Sequence, residues 1–238
     1  MRFFYFNFKK SIRNIIYSNK IKAFIILLLL TVAFVITAIY ARSNESDLPQ
    51  KIVSAISYIN TTEKIYTVTV NLHGNEDRES LDLFIDVCRG FNITPLYFIK
   101  NTWFIKNSGS IDLIKSSGNL ALYCDELSKL NRNEVMKYVA EQNDNFYKHT
   151  ETYPKYVRES NNDNPFLGEI LNAYRQYYIS ANLEAGTEKS IKPGDILVVE
   201  LSSRDSVYSF IKMVSQALAE NITAVEMKDF IKEYEKTN

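Results

Sequence analysis

The sequence predicts an α/β domain with a mainly parallel sheet, closed or partly closed as a seven-stranded barrel and preceded by one transmembrane helix. Three observations carry that reading. Residues 65–99 read as strand, helix, strand; the same alternation continues toward the C-terminus; and residues 23–41 run without a charge. Strands joined by helical crossovers are parallel, and such units assemble into sheets covered by helices.

Residues 1–22 form a basic tail in which Phe3, Phe4, Tyr5, Phe6, Phe8, Ile12, Ile15, Ile16 and Tyr17 alternate with Lys and Arg. This pattern suits an amphipathic segment on an anionic inner leaflet as well as a plain charged tail. The run AFIILLLLTVAFVITAIYA, residues 23–41, matches the roughly 20 residues that span a bilayer as a helix. Basic residues precede it, whereas only Arg42 separates it from the acidic SNESD, so the N-terminus is expected in the cytoplasm and the remainder outside. A cleaved signal peptide fits less well, because its apolar region spans about 7 to 15 residues and Ile39 suits an A-x-A cleavage site poorly. The expected location is the cell membrane, single-pass, with an extracytoplasmic C-terminal domain.

Residues 42–60 are read as a linker, with Ile52 to Ile59 too short to classify. The domain is expected over 61–238. Its first strand lies in IYTVTVNLHG, residues 65–74, where β-branched and aromatic residues give way to turn chemistry at Asn71 to Gly74. Asp77 is placed to cap a helix whose apolar stripe is Leu81, Phe84, Ile85 and Cys88. A second strand is expected at Thr94 to Ile99, a short helix ending at Asp112 to Lys115, and a third strand at Leu120 to Cys124. Asn131 and Glu134 have the form of a capping box for a helix reaching about Tyr147.

Beyond it are expected a strand at Tyr156 to Arg158, a helix near Pro165 to Gln176, and strands at Tyr177 to Ala181 and Ile196 to Leu201. Val207, Phe210, Ile211, Val214 and Leu218 mark an amphipathic helix, followed by a short strand at Ile222 to Val225 and a helix at Met227 to Tyr234. Ligands in βαβ units sit at the carboxyl ends of the strands, so the tip Asn71, Leu72, His73, Gly74 is the first place to look for function.

Charge excludes one class of partner. The chain holds 28 basic and 28 acidic residues, but Arg2, Lys9, Lys10, Arg13, Lys20, Lys22 and Arg42 all precede residue 43, and no acid does. Removing those seven leaves 21 basic against 28 acidic residues, a net charge of −7 over 43–238, which argues against a nucleic-acid partner. Cys88 and Cys124 stand in apolar surroundings and read as free, packed thiols rather than a disulfide framework, although a single bridge is compatible with an extracytoplasmic domain.

In the order of these landmarks, residues 64–235 resemble the polysaccharide deacetylase family, the NodB homology domain. IYTVTVNLHG stands where that family has T-F-D-D-G, FNITPLYFI where it has a strand ending in T-F-F, and GNLALYCDELSKL where it has G-H-E-I-G-N-H-T-x-x-H-x-x-L. YPKYVRESNNDN takes the place of R-P-P-Y-G, KPGDILVVEL that of K-P-G-x-I-I-L-x-H-D, and AENITAVEMKDFI that of K-G-Y-x-F-V-T-L-x-E-L. The resemblance implies a deformed (β/α)7 NodB-like barrel, partly open because Glu184 to Gly194 leaves no room for the usual helix. It also implies metal-dependent deacetylation of amino sugars, with an Asp as base, an Asp and two His on the metal, and a late His as acid.

The residues that do this work are missing. The paired aspartates become Asn71 and Leu72, or Leu72 and His73 in the other register. No His lies between Gly118 and Leu130, where Cys124, Asp125 and Glu126 stand instead; Glu200 replaces the late His; only Arg158 remains of R-P-P-Y-G. A catalytic divalent ion normally takes about three protein ligands and an open position, so the sequence assigns no catalytic residue, no metal and no cofactor.

The candidate ligand-binding residues of the vestigial cleft are Asn71, His73, Asp125, Arg158 and Glu200. Arg158 reads either as a structural ion-pair residue or as part of the cleft lining. His149 reads as a surface residue at a helix C-terminus. Trp103, Tyr153, Tyr156, Tyr174, Tyr177 and Tyr178 are candidate sugar-stacking faces, most of them expected in the core. The function expected is a membrane-anchored, catalytically inactive deacetylase-like module that binds a cell-wall glycan or an envelope protein. The alternative is an active deacetylase with His73, Asp125, Glu126 or Glu200 as substitute ligands. A third reading is a spacer that binds no glycan.

Overall fold

A computed structural model describes residues 54–161 and 163–237. The expected tail, the span at 23–41 and most of the linker lie outside the described residues. Among those described, no helix is long and apolar enough to cross a membrane.

The strands are β1 (Ile65–Leu72), β2 (Leu96–Ile99), β3 (Asn119–Cys124), β4 (Tyr156–Glu159), β5 (Tyr177–Tyr178), β6 (Leu183–Glu184), β7 (Ile196–Glu200) and β8 (Thr223–Ala224). The sheet runs β5-β4-β3-β2-β1-β7-β6, and β8 pairs with β1 off this path. Every strand pair is parallel. The helices are α1 (Arg78–Gly90), α2 (Asn101–Lys106), α3 (Ile111–Ser117), α4 (Arg132–Thr150), α5 (Leu167–Ala173), α6 (Arg204–Ala219) and α7 (Met227–Thr237). Relative to the expectation, α2 and β6 are additional. The latter lies at the start of the short connection before β7 and pairs with it, Leu183 opposite Leu197, so a two-residue edge strand stands where a longer crossover would be.

Local chemistry accounts for the boundaries. Asp77 accepts a hydrogen bond from the Ser80 amide at 3.0 Å and caps α1. Asn131 accepts from Asn133 and Glu134 amides while Glu134 accepts from the Asn131 amide at 2.8 Å, completing the expected capping box of α4. In α6 the buried residues are Val207, Phe210, Met213, Val214 and Ala217; Ile211 is half-buried and Leu218 is 61% exposed. The buried arc is therefore rotated toward Met213 and Ala217, away from the side on which the sequence placed Leu218.

Strand alternation divides the core into two layers. On β1, Tyr66, Val68, Val70 and Leu72 face the helices and join Leu81, Phe84, Cys88, Val207 and Phe210 in the outer layer. Thr67, Thr69 and Asn71 point the other way. The inner layer gathers Leu96, Phe98, Ala121, Tyr123, Tyr156, Tyr177, Ile179 and Ile196 with Met227, Phe230 and Ile231 of α7. Cys88 and Cys124 are both buried and free, and burial pushes both thiols upward in pKa.

The open side between β5 and β6 is bridged by residues that the sequence placed in the linker. The Ile56 amide donates to the Tyr178 carbonyl at 2.8 Å, the Ser180 amide to the Ile56 carbonyl at 2.9 Å, and the Ile59 amide to the Gly194 carbonyl at 3.0 Å. Ile56 and Ile59 are 3% and 1% exposed within the inner layer. Gly194 permits this approach: its φ is +88°, and a Cβ there would stand 2.0 Å from the Ile59 carbonyl oxygen. Residues 54–59 thus act as a stave across the seam.

Candidate functional site

The C-terminal ends of β1, β2, β3, β4 and β7 bring together a polar cluster built on the inward-facing residues of β1. Thr69 and Asn71 lead to His73 just beyond the strand. The strand tip is fixed by Glu76, whose carboxylate accepts from the His73 and Gly74 amides and, at 2.9 Å, from Trp103 Nε1. Gly74 has a φ of +99°, so the chain can turn there without a Cβ penalty.

Arg158, near the end of β4, is 4% exposed and organises the cluster. Its Nη1 donates to Asn71 Oδ1 at 2.9 Å, and Nη2 donates to Thr69 Oγ1 at 3.1 Å and to the Ser180 carbonyl at 3.0 Å. The guanidinium lies 4.0 Å from the Phe98 ring centroid, a cation–π arrangement. Burial pulls its pKa down to about 9, which leaves the charge intact at neutral pH. Arg158 is thus a buried residue whose direct partners are amide, hydroxyl and carbonyl oxygens rather than a carboxylate.

Asn71 relays that charge. An arginine can only donate, so the amide oxygen of Asn71 faces Arg158, and its Nδ2 then points at Glu200 Oε1, 2.5 Å away. Glu200 Oε2 in turn lies 3.3 Å from His73 Nε2, with both side chains a little over one-third exposed. The hydrogen bond and charge of Glu200 raise the pKa of His73; Glu76 adds to this, while burial and Lys100 oppose it. The imidazole edge meets the Tyr123 ring, with centroids 4.7 Å apart. Burial pushes the Tyr123 phenol upward, although a hydrogen bond to Ser160 opposes the shift.

Four of the five candidate residues, Asn71, His73, Arg158 and Glu200, form this one network. Asp125 does not join it: Lys100 holds its carboxylate at 2.5 Å. Glu126 is exposed and accepts from Ser128 at 2.6 Å. The substitute-ligand set His73, Asp125, Glu126 and Glu200 is therefore split among three separate interactions. Among the described residues no group of three His, Cys, Asp or Glu side chains converges as a metal site would require. A single imidazole beside a single carboxylate does not supply the donor set of a divalent ion held by Asp and two His.

Several neighbours escaped the sequence reading. Thr69 had a visible signal, since Thr67, Thr69, Asn71 and His73 alternate along one face. Phe98, Lys100, Tyr123 and Ser180 had none, because their role arises from pairing distant strands. His149 is half-buried rather than a free surface residue, stacking on Phe104 with centroids 4.9 Å apart. Trp103, Tyr156, Tyr177 and Tyr178 are core residues, whereas Tyr153 and Tyr174 are 63% and 43% exposed.

No family sequence model matches the chain. No curated protein matches it either. Solved structures do. A family 4 carbohydrate esterase from Bacillus anthracis superposes with a TM-score of 0.66 at 16% identity, covering 76% of this chain and 88% of that one. The fold is that of the family 4 carbohydrate esterases. A family 4 pseudoenzyme from Bacillus anthracis reaches the same TM-score of 0.66 at 12% identity, covering 76% of this chain and 70% of that one. A chitin deacetylase from the fungal pathogen Colletotrichum lindemuthianum gives 0.61 at 13% identity, covering 75% and 92%. The fold is thus shared with proteins described as deacetylases and with one described as a pseudoenzyme.

Proposed function

We propose that this chain is a catalytically silent protein of the polysaccharide deacetylase type, anchored in the cell membrane by residues 23–41, whose extracytoplasmic domain serves as a binding module for a cell-envelope glycan. The observation that carries the silent reading is the chain of contacts Arg158–Asn71–Glu200–His73. Its polar atoms are spent on one another at the strand ends where deacetylation would need a held metal, a base and an acid. Asn71 has no basic site to accept a proton, and Glu200 is engaged by the Asn71 amide and His73. The glycan reading is supported by the likeness to proteins described as peptidoglycan N-acetylglucosamine and chitin deacetylases.

The test uses the full-length protein in detergent. Substoichiometric metal is expected after purification, and no acetate is released from chitin oligomers or peptidoglycan with added zinc, cobalt or manganese. Stoichiometric metal together with turnover lost on changing His73 or Glu200 would establish an active enzyme with substituted ligands instead. A silent protein that captures an envelope protein and no glycan would assign the module to a protein partner.

A further inference from the structure

Three exposed tyrosines lie close together at the end of the barrel opposite the Arg158 network. Tyr153, Tyr147 and Tyr174 are 63%, 45% and 43% exposed, three of eight large hydrophobic residues so exposed among the described residues. Tyr153 follows α4 and precedes β4, and its ring stacks on Tyr147 with centroids 4.8 Å apart and planes inclined by 27°. An exposed aromatic held by a second ring loses little freedom on binding, the usual economy of a recognition surface.

Tyr153 is also a wall shared by two adjoining clefts. One, of about 570 Å³, has Lys115, Lys155, Lys228, Asn119 and Tyr156 around it. The other, of about 380 Å³, is bounded by Tyr174, Asp144, Asn143 and Gln176. Both volumes fall within the range of about 300–1,000 Å³ common for small-ligand sites. The floor of the second is rigid, because Gln176 Nε2 donates to Asn143 Oδ1 at 2.9 Å and to the Pro154 carbonyl at 2.8 Å.

The first cleft is lined by three lysines and no carboxylate, in a region whose net charge is −7. Two of those lysines have neighbours: Glu226 lies 2.9 Å from Lys228, and Lys155 sits 5.9 Å from the Tyr177 ring centroid. Glu226 offsets the charge of Lys228, so an acidic group of a ligand would be drawn chiefly toward Lys115. Tyrosine faces pack against the C–H faces of pyranose rings, and lysines draw acidic substituents.

We infer that the cleft pair around Tyr153 is the binding site for an anionic glycan strand, with sugar rings on Tyr153 and Tyr174 and a carboxylate group toward Lys115. This rests on the binding-module reading and moves its site away from the vestigial cleft to the N-terminal ends of β3 and β4.

The experiment is calorimetric titration of the full-length protein in detergent with peptide-stripped peptidoglycan strands, whose lactyl carboxylates are free. A glycerol-phosphate polymer, neutral chitohexaose and inorganic phosphate are run in parallel. The peptidoglycan strand is expected to bind, whereas binding of the glycerol-phosphate polymer in its place, which offers no sugar ring to the tyrosines, would overturn the glycan assignment. Tyr153→Ala should weaken that binding about tenfold or more, with the urea midpoint unchanged, and Tyr153→Phe should restore it. Lys115→Glu and higher salt should weaken it further.

Chitohexaose binding as tightly as the anionic strands would overturn the charge assignment, and phosphate competing alone would reduce the site to an ion site. Binding lost with His73→Ala but kept with Tyr153→Ala would overturn the site and leave the module reading standing. No binding by any polymer would overturn the inference, while the acetate and metal measurements would still decide the silent reading independently.

Discussion

The two ends of the barrel treat polar groups in opposite ways. At the C-terminal end, Arg158, Asn71, Glu200 and His73 form an unbroken series of contacts, and the guanidinium at its centre is buried. At the N-terminal end, Tyr153 and Tyr174 stand exposed beside the clefts that hold Lys115, Lys155 and Lys228. The first arrangement satisfies its buried members and so stabilises the fold, while His73 and Glu200 keep over one-third of their side-chain surface in water. The second leaves apolar faces in water, so it gains by being covered.

The comparison breaks most directly at Arg158. Arg158→Met leaves Asn71 Oδ1, Thr69 Oγ1 and the Ser180 carbonyl without their donor in a buried place. Stability is expected to fall by about 3–5 kcal/mol, the range for removing one member of a buried charged network. Urea unfolding followed by circular dichroism measures it. A loss under about 0.5 kcal/mol would mean that the C-terminal network is as dispensable to the fold as an exposed tyrosine.

A smaller effect is expected from Asn71→Asp, which restores a carboxylate to the strand tip. The new group loses the donor that faced Glu200 and sets two carboxylates side by side, so the pair holds a shared proton and titrates as a unit. Arg158 favours ionisation of the new carboxylate, so repulsion raises only the upper of the pair's two folded-state pKa values. Stability is therefore best retained at low pH and lost as pH rises through the raised value, with a deficit of about 1–2 kcal/mol near pH 7 relative to Asn71. A variant whose stability runs parallel to the parent from pH 5 to pH 8 would show that Glu200 swings clear, and the network would then be looser than its distances suggest.

The smallest effect belongs to His73. Its pKa is raised above 6.5, first by the hydrogen bond to Glu200, so the pair contributes fully below the unfolded-state value of about 6.5. That contribution is lost as pH rises through the raised folded value. Because both side chains are over one-third exposed, solvent screening keeps it under about 1 kcal/mol. His73→Gln should flatten this part of the stability profile. An unchanged profile would separate His73 from the network and make it an accessory to Tyr123 alone.

Much of the frame was legible because it is written locally. IYTVTVNLHG announces a strand, Asp77 and Asn131 cap the helices they were expected to cap, and the order of the later strands survives in the sheet. The site was legible by half. Alternation along β1 puts Thr69, Asn71 and His73 on one face, but it cannot reveal that Arg158, 87 positions beyond Asn71, donates to it. Nor could α2 be read from its six residues, too few for a helical period to establish itself. The expected linker failed for a different reason. Ile56 and Ile59 carry no periodic signal because they pair with two unrelated partners, one near β5 and one before β7.

That stave has a mechanical consequence. Tension arriving from the N-terminal side would reach Ile56 and Ile59 before it reached β1, and the stave's main-chain grip consists of the three hydrogen bonds that cross the seam. β1, by contrast, is hydrogen-bonded to β2 and β7 on its two sides and to β8 near its start. A tether drawn taut would therefore peel the stave first, wetting the inner layer along one edge while the strand that carries Asn71 stays seated. The barrel would yield at its seam as a fuse does, ahead of the parts it protects.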